Sequence, residues 1–229
     1  MPRRTSTASS PQVLDELPAP ASLRGTQAKR RQRIIDQAQA MLIERGDANV
    51  EMREIAEGAG VALGTAYRYF GSKDRLLAEV FAQWQSQRHD EIKQQTAKGK
   101  TNTDRTRLHA LTAFERIFQH PRLWAVGQAL RVSDDPSVLR ILVQMDQRMI
   151  DQFRSTLVGI DERDAQSIAV LVTSVVTSSL DRVAAHVIGV DEAKRRIAEG
   201  VTTVLEFRDP TLDAPKPRRT PARQTRVAH

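Results

Sequence analysis

Residues 51–77 concentrate glycine, threonine, tyrosine and lysine at spacings suited to contacts with a polyanion. The stretch reads EMREIAEGAGVALGTAYRYFGSKDRLL. Threonine and tyrosine hydroxyls can donate hydrogen bonds to phosphate oxygens, a tyrosine ring can pack on sugar, and glycine lets a backbone approach closely. Lys73 is expected in the first turn of a helix, where its positive charge interacts unfavourably with the helix dipole. A lysine at this position is explained if that end of the helix faces a phosphate. These residue types indicate binding of nucleic acid.

Two short helices joined by a glycine-containing turn are expected to hold these side chains. Residues 53–59 supply the first helix, Gly60 interrupts it, and Leu63–Phe70 can form the second. This arrangement is the helix-turn-helix, and a DNA major groove about 12 Å wide admits one α-helix. A helix over residues 27–45 is expected before it, and a long amphipathic helix carrying Leu76–Trp84, capped at Ser72, after it.

Residues 94–103 are expected to be a polar linker. Asp135 and Asp161 are expected to cap two later helices, the second of which runs to about Ile188.

One side of the second short helix is expected to face the core and the other to face outward. Ala66 and Phe70 are four residues apart and should pack inward with Val61. The residues then expected to face outward are Gly64, Thr65, Arg68 and Tyr69, with Tyr67 at the edge.

Residues 27–85 resemble the DNA-binding segment of the TetR family of bacterial repressors. The resemblance rests on Arg53-x-Ile55-Ala56, Ala59-Gly60-Val61, Gly64-Thr65, Tyr67-x-Tyr69-Phe70 and Ser72-Lys73-x-x-Leu76-Leu77. It implies that one side chain of the first short helix reaches a base edge and that a lysine of the following helix holds a phosphate. The DNA-contacting residues that it implies are Arg53, Leu63, Gly64, Thr65, Tyr67, Arg68, Tyr69 and Lys73.

One position departs from the family pattern. Family members commonly open the first of these short helices with Thr or Ser, whose hydroxyl caps the helix and meets phosphate, whereas this chain has Glu51 and Met52. Glu51 would repel the DNA backbone unless it turns away. The segment VEMREIAEGAGVALGTAYRYF is also similar to the actinobacterial repressors of sterol and cholesterol catabolism, which respond to coenzyme A thioesters of steroids or fatty acids.

Other chemistries find little support in the sequence. Gly58-x-Gly60-x-x-x-Gly64 resembles a dinucleotide-binding loop, but that loop works only between a strand and a helix; here a helix precedes it, and the spacing is off by one residue. The chain has no cysteine, and its five histidines are scattered. We therefore expect no enzyme activity, no catalytic residue, no cofactor and no metal site. A helical scaffold whose DNA-binding domain has lost that function is the alternative.

The chain is expected to be all-α, with two domains between two tails. Residues 26–72 would form an N-terminal three-helix DNA-binding domain, called the reader domain below. Residues 73–208 would form a helical ligand-binding and dimerisation domain. Residues 1–25 and 209–229 are rich in small residues or proline and are expected to be disordered.

The basic excess of the chain lies in its two tails. Residues 1–33 hold seven Lys/Arg against two Asp/Glu, and residues 209–229 hold five against two. Each tail is either a solvated segment or an arm that seeks phosphate. The run Lys29-Arg30-Arg31-x-Arg33, with Arg24 before it, is expected to lie against the DNA backbone or the minor groove.

A single reader domain contacts only half of an operator, so a homodimer is expected. Its two reader domains would be held about 34–36 Å apart on one face of the duplex. The resemblance implies that the last two helices, within residues 162–208, form the dimer interface; the alternative is that residues 168–188 form only a central core helix. The small residues that would allow close approach of helices there are Ala169, Ser174, Ser178, Ala184 and Ala185.

The resemblance also implies a small apolar effector, such as an acyl coenzyme A, inside the second domain. Aromatic and methionine side chains concentrated in three successive helices are the candidates for its pocket, although such residues also build ordinary cores. They are Phe114, Phe118, Trp124, Met145, Met149 and Phe153.

No membrane partner is expected. The most apolar stretch, Ile168–Leu180, is shorter than the roughly 20 residues that a span needs. The N-terminus is basic but lacks the apolar run of a secretory signal. The expected location is the cytoplasm, and the expected partners are double-stranded DNA, a second copy of the chain and a small effector.

Overall fold

The described residues of a computed structural model of this chain are 25–45, 49–87, 92, 96 and 98–208. Within those ranges the chain forms helices α1 to α9 and one 3-10 turn, and no strand. The expected all-α fold class is confirmed over that part of the chain. The two predicted tails lie outside the described residues, apart from Gly25.

The helices bounded within the described residues pack around one continuous apolar core, which runs from Ile34 to Leu205. The 3-10 turn, Leu130–Val132, directly continues α6. The bounds are α1 Thr26–Arg45, α2 Met52–Gly58, α3 Leu63–Phe70, α4 Lys73–Ser86, α5 Asn102–Phe118, α6 Pro121–Ala129, α7 Pro136–Arg154, α8 Glu162–Ala184 and α9 Val190–Arg208.

The first three helices share one apolar core. The residues of α1 that recur at helical spacing are buried, as the sequence predicts. Gly60 adopts a positive φ of 65° in the turn between α2 and α3, a conformation that favours glycine because it has no Cβ. The buried apolar residues of α1 are Ile34, Ile35, Ala38, Met41 and Leu42.

Helix α4 joins the reader domain to the rest of the chain. It begins after Ser72, whose hydroxyl accepts a hydrogen bond from the backbone N–H of Arg75 at 3.1 Å. Its buried face packs on α1 and α3 of the reader domain and also on α6 and α7. Phe81 lies so close to Gly127 of α6 that a Cβ there would collide with the ring. Helix α4 therefore connects the reader domain to the later helices within one continuous core.

Side-chain caps set the starts of the later helices. Asp135 and Asp161 cap α7 and α8 as expected, each carboxylate accepting a backbone N–H two residues further on. Helix α5 starts inside the segment predicted as a linker, residues 94–103, because Thr101 and Asp104 form a capping box. Thr101 Oγ1 accepts from the Asp104 N–H at 3.0 Å, and the Asp104 carboxylate accepts from the Thr101 N–H at 3.3 Å.

Helix α8 ends at Ala184, before the end near Ile188 that its apolar pattern predicts. His186 adopts a positive φ of 57°, and the backbone N–H of Val187 donates to the carbonyl of Arg182 at 2.8 Å. This is the left-handed terminating turn that usually contains glycine. A histidine ends the helix, and Gly189 lies beyond it.

By length and composition alone α8 could cross a membrane, with a mean hydropathy of 1.3 over its most apolar window. This differs from the sequence-based expectation of no such segment. However, α8 packs on α5, α6, α7 and α9 within the domain. Its fully buried residues are Ile168, Ala169, Val172 and Val176. That burial is the pattern of a central core helix.

Candidate nucleic-acid interface and an adjoining cavity

Helix α3 has one buried face and one open face. Ala66 and Phe70 are fully buried, as expected, and Val61 packs against the same core. Tyr69 was expected to face outward, and this is wrong, because it is 5% exposed. Residues three and four apart share a helical face, so Tyr69 lies with Ala66 and Phe70. Its ring meets the ring of Phe70 edge-on, with centroids 6.4 Å apart.

The other predicted contact residues of α3 remain at the surface. Gly64 and Arg68 are exposed, Tyr67 is 45% exposed, and Leu63 and Thr65 are half-buried. Arg68 Nη2 lies 3.4 Å from the Thr65 hydroxyl oxygen, which it reaches as a donor. The open face of α3 therefore combines a cation, a hydroxyl, an aromatic ring and a position without a side chain.

The helices on either side of α3 each contribute one of the predicted contacts. Arg53 is exposed in the first turn of α2, and Lys73 is half-buried as the first residue of α4. The roles of these two residues in DNA binding stay predictions.

The start of α2 lacks the Thr or Ser hydroxyl that caps this helix in the family pattern, and another group caps it here. Met52 is buried in the core, so it does not face a phosphate. The Glu54 carboxylate instead accepts the backbone N–H of Glu51 at 3.1 Å and the guanidinium of Arg45 at 2.8 Å. The hydrogen bond from Arg45, followed by that from Glu51, lowers the pKa of Glu54. Helix α2 is capped within the protein, without a Thr or Ser.

Arg31 does not lie with the other basic residues of α1. Lys29, Arg30 and Arg33 are exposed, but Arg31 is buried and forms an ion pair with Glu79 of α4. Its guanidinium also lies 4.8 Å from the centre of the Phe70 ring. Burial, and then the nearby cation Arg75, lowers its pKa. The expectation that Arg31 contacts DNA is wrong, because it joins α1, α3 and α4; Arg24 lies outside the described residues.

A polar contact links the end of the reader domain to α7. The Ser72 hydroxyl, which caps α4, donates to Asp135 Oδ2 at 3.3 Å, and Asp135 caps α7. Burial alone would raise the pKa of Asp135, but hydrogen bonds from Ser137 and Ser72 outweigh that effect and lower it. One carboxylate thus stabilises the start of α7 and holds the start of α4.

A cavity lies against the C-terminal end of α4, between α4, α5 and α7. Its volume is about 30 Å³, enough for one or two water molecules. Of the predicted pocket residues, Met149 and Phe153 line it. The remaining lining residues are Trp84, Gln85, Ile92, His109, Ala113, Arg116, Ile117 and Gln152.

The other four predicted pocket residues lie elsewhere. Phe114 is fully buried and stacks on Phe118, which lines a separate open groove of about 460 Å³ beside the α8–α9 connection. Trp124 is buried and donates its indole N–H to Asp181 of α8 at 2.9 Å. Met145 lines a smaller hollow of about 20 Å³ next to the cavity. The six residues do not form one pocket.

The sequence did contain a signal for the lining residues that were missed on α5. His109, Ala113 and Ile117 are spaced four residues apart, which aligns them along one face of α5. His109 is 2% exposed, and its Nδ1 lies 3.2 Å from the Thr96 hydroxyl oxygen. A histidine aligned with apolar positions on one helix face was the signal in the sequence that could have identified these lining residues.

The last two helices leave apolar side chains exposed. Val170 and Leu171 of α8 are 40% and 47% exposed, and Ser174 and Ser178 continue the exposed side of that helix. Phe207 of α9 is 88% exposed. Among the small residues predicted for an interface, Ala169 is fully buried and faces its own domain, Ala184 is half-buried and Ala185 is exposed.

No group of three or more His, Asp or Glu side chains is arranged to hold a metal ion in the part of the chain that the structure describes. The fold and the open face of α3 define a helix-turn-helix protein with a helical second domain.

Comparison with known proteins finds similarity in the N-terminal segment. Residues 34–80 match the family model described as "Bacterial regulatory proteins, tetR family". Over 91 residues, or 40% of this chain, the sequence is 37% identical to the HTH-type transcriptional repressor KstR of Mycobacterium tuberculosis, and the match spans 36% of that relative's length. The N-terminal segment of this chain is therefore similar to the DNA-binding segment of tetR family proteins, and the match covers well under two thirds of the curated relative's length.

Solved structures share the fold over most of the chain. A TetR transcriptional regulator from Rhodococcus sp. RHA1 is 21% identical, with a TM-score of 0.69, over 79% of this chain and 98% of its own. The TetR-family repressor FadR of Thermus thermophilus, in complex with lauroyl-CoA, is 21% identical, with a TM-score of 0.62, over 77% of this chain and 93% of its own. These likenesses show that the helical second domain has the fold of such regulators.

Proposed function

We propose that this chain is a ligand-responsive transcriptional repressor that binds a pseudopalindromic operator as a homodimer in the cytoplasm. The observation that carries the proposal is the open face of α3, with Gly64, Tyr67 and Arg68 exposed, inside the segment that matches the tetR family model. An eight-residue helix anchored by its apolar side can place its polar side in a major groove.

The homodimer is supported by the exposed residues of the last two helices. Val170, Leu171 and Phe207 are large apolar side chains that water would otherwise surround, and Ser174 and Ser178 would let a second helix approach closely. A four-helix interface built from two copies would place two α3 helices on one duplex, one for each half-site.

The effector class is supported by the relatives and by the place of the cavity. The Thermus thermophilus neighbour was solved with lauroyl-CoA. In this chain the cavity borders α4, which also packs on the reader domain. We propose an apolar acyl or steroid thioester as the effector. A coupling of about 1–3 kcal/mol would weaken DNA binding roughly 5–150-fold.

Selection of bound fragments from genomic DNA, followed by mobility-shift titrations at increasing salt, tests the proposal. We expect a pseudopalindromic site whose affinity falls linearly on a double-logarithmic plot against salt, because bound cations release counterions. Tyr67→Ala should weaken binding to all sequences, and Arg53→Ala should relax preference at one position by about 1–3 kcal/mol. Arg148→Ala, which removes an exposed cation of α7 outside both the reader domain and the last two helices, is the matched control. Binding that is insensitive to salt, or no binding to any duplex, would contradict the proposal.

A further inference from the structure

Two buried hydrogen-bond donors at the cavity have no acceptor among the described residues. They are Nε1 of Trp84 and Nε2 of Gln85, which are consecutive residues near the C-terminal end of α4, and both residues line the cavity. Trp84 is only 3% exposed. An indole N–H can only donate, and buried donors in proteins nearly always have an acceptor.

The indole of Trp84 is held in place by its neighbours. Its ring stacks on Phe81, with centroids 5.8 Å apart and planes inclined by 22°, and it meets the ring of His120 edge-on at 6.1 Å. Turning the N–H toward another acceptor would break both ring contacts. The donor is therefore fixed in position, and leaving it unbonded carries the desolvation cost of a buried polar group.

The remaining lining residues define the rest of a suitable partner. Arg116 adds a positive charge to the wall, although it has an interaction of its own. The two unmet donors favour an oxygen acceptor, neutral or anionic. The apolar residues that would surround the body of the ligand are Ile92, Ala113, Ile117, Met149 and Phe153.

We infer that the cavity binds a small apolar molecule through one acceptor oxygen, a carbonyl or carboxylate, to which Trp84 Nε1 and Gln85 Nε2 donate. The inference rests on the proposed ligand response and names the chemical group of the effector that the protein recognises by hydrogen bonds. The cavity volume of about 30 Å³ requires side chains to move as the ligand enters, and Met149 is unbranched and adaptable. The bound oxygen would act directly on α4, the helix that follows α3 in the chain.

Titration calorimetry of the full chain with hexanoate, 2-hexanone and hexane tests this inference. The acid and the ketone carry the acceptor as a charged and as a neutral group, and hexane lacks it. We expect the two oxygen-bearing probes to bind more tightly than hexane. Trp84→Phe should weaken both by about tenfold, the effect of one lost hydrogen bond, and leave hexane binding unchanged.

Two further variants protect the test from a folding artefact. Gln85→Met keeps the length of the side chain and removes its donor, so it should also weaken only the oxygen-bearing probes. Trp124→Phe is the matched control, because its N–H bonds to Asp181 outside the cavity. It should bind all three probes like the unchanged protein.

Equal weakening of all three probes by Trp84→Phe would mean that Trp84 only shapes the wall, and would overturn the inference. Failure of every probe to bind would overturn it too. Binding of hexanoate alone would support the carboxylate form, with Arg116 as a further partner, and binding of both would support the neutral form as well. Operator affinity is measured on the same proteins, because oxygen-dependent binding without any effect on DNA would refute the ligand response but keep the donor site.

Discussion

The two ends of α4 are built differently, and the difference shows where the molecule is fixed and where it is open to a partner. At the N-terminal end, Ser72 bonds to Asp135 and Glu79 pairs with Arg31. The Nε atoms of Arg31 and Arg75 also lack a hydrogen bond there, but both guanidinium groups form ion pairs with the Glu79 carboxylate. At the C-terminal end, Trp84 and Gln85 keep buried donors without an acceptor among the described residues. Under the proposed ligand response, the second end would gain new contacts from the ligand, and α4 would shift while its first turns stay attached to the reader domain.

Removal of the Glu79 carboxylate should disrupt the contacts at the N-terminal end of α4 and have the largest effect on the stability of the fold. Glu79→Ala leaves Arg31 as a buried cation beside Arg75, so we expect a loss of about 3 kcal/mol in the free energy of unfolding. Urea denaturation measures it. Glu199→Ala removes a carboxylate from an exposed ion pair with Arg195 on α9 and should cost less than about 0.5 kcal/mol. Equal losses for the two variants would mean that the buried ion pair between Arg31 of α1 and Glu79 of α4 stabilises the fold no more than an exposed ion pair does.

Gly127→Ala should disturb the middle of α4, between its two ends. A methyl group there collides with the Phe81 ring, which is fully buried, so we expect a loss of about 2 kcal/mol through overpacking. Thermal and urea unfolding measure it. Gly189→Ala meets nothing within 4 Å and should change stability by less than about 0.5 kcal/mol. An unchanged stability for Gly127→Ala would show that α4 and α6 pack loosely.

Gly64→Ala separates reader stability from DNA binding. An added methyl group meets nothing within 4 Å in the free protein, and alanine favours the helix, so stability should rise by up to about 1 kcal/mol. The same methyl group would stand between α3 and DNA and should weaken operator binding by about 1 kcal/mol. Mobility-shift titration together with urea unfolding checks both signs. Unchanged DNA affinity in a stabilised protein would remove Gly64 from the interface.

Asp135→Asn should have the smallest effect, and the effect should depend on pH. Asparagine still caps α7, but it loses the charge that Ser137 and Ser72 stabilise. Because the folded pKa of Asp135 is lowered from 3.8, its stabilisation is present above that value and is lost as pH falls through the folded pKa. The stability difference from the unchanged protein should therefore be seen at neutral pH and vanish in acid. Ser72→Ala should reduce the pH-dependent part, and a difference that is constant with pH would contradict this account.

The reader domain could be read from the sequence because its signals are local. The boundaries of α3, the inward positions of Ala66 and Phe70, and the cap of α4 at Ser72 follow from helical spacing and turn residues. The one misplaced residue, Tyr69, was an error of helix geometry, since residues 66, 69 and 70 share a face. The DNA-contacting roles themselves stay predictions.

The cavity could not be read in the same way, because its walls come from α4, α5 and α7. Aromatic and methionine residues such as Phe114 and Trp124 have the pattern of pocket residues, but packing placed them in the core beside the cavity. Trp84 was assigned only to the apolar face of α4, and its unmet N–H appears only when the neighbouring helices are in place.

The sequence by itself determined the all-helical class, the helix-turn-helix, the caps at Asp135 and Asp161, and the family resemblance, because each depends on residues within one or two turns of each other. Tertiary structure decided that Arg31 pairs with Glu79, 48 positions away, and that Trp124 bonds to Asp181, 57 positions away. It also decided which side chains border the cavity. Burial removes water as the alternative partner of a polar group, and which groups are buried together is set only when the helices pack.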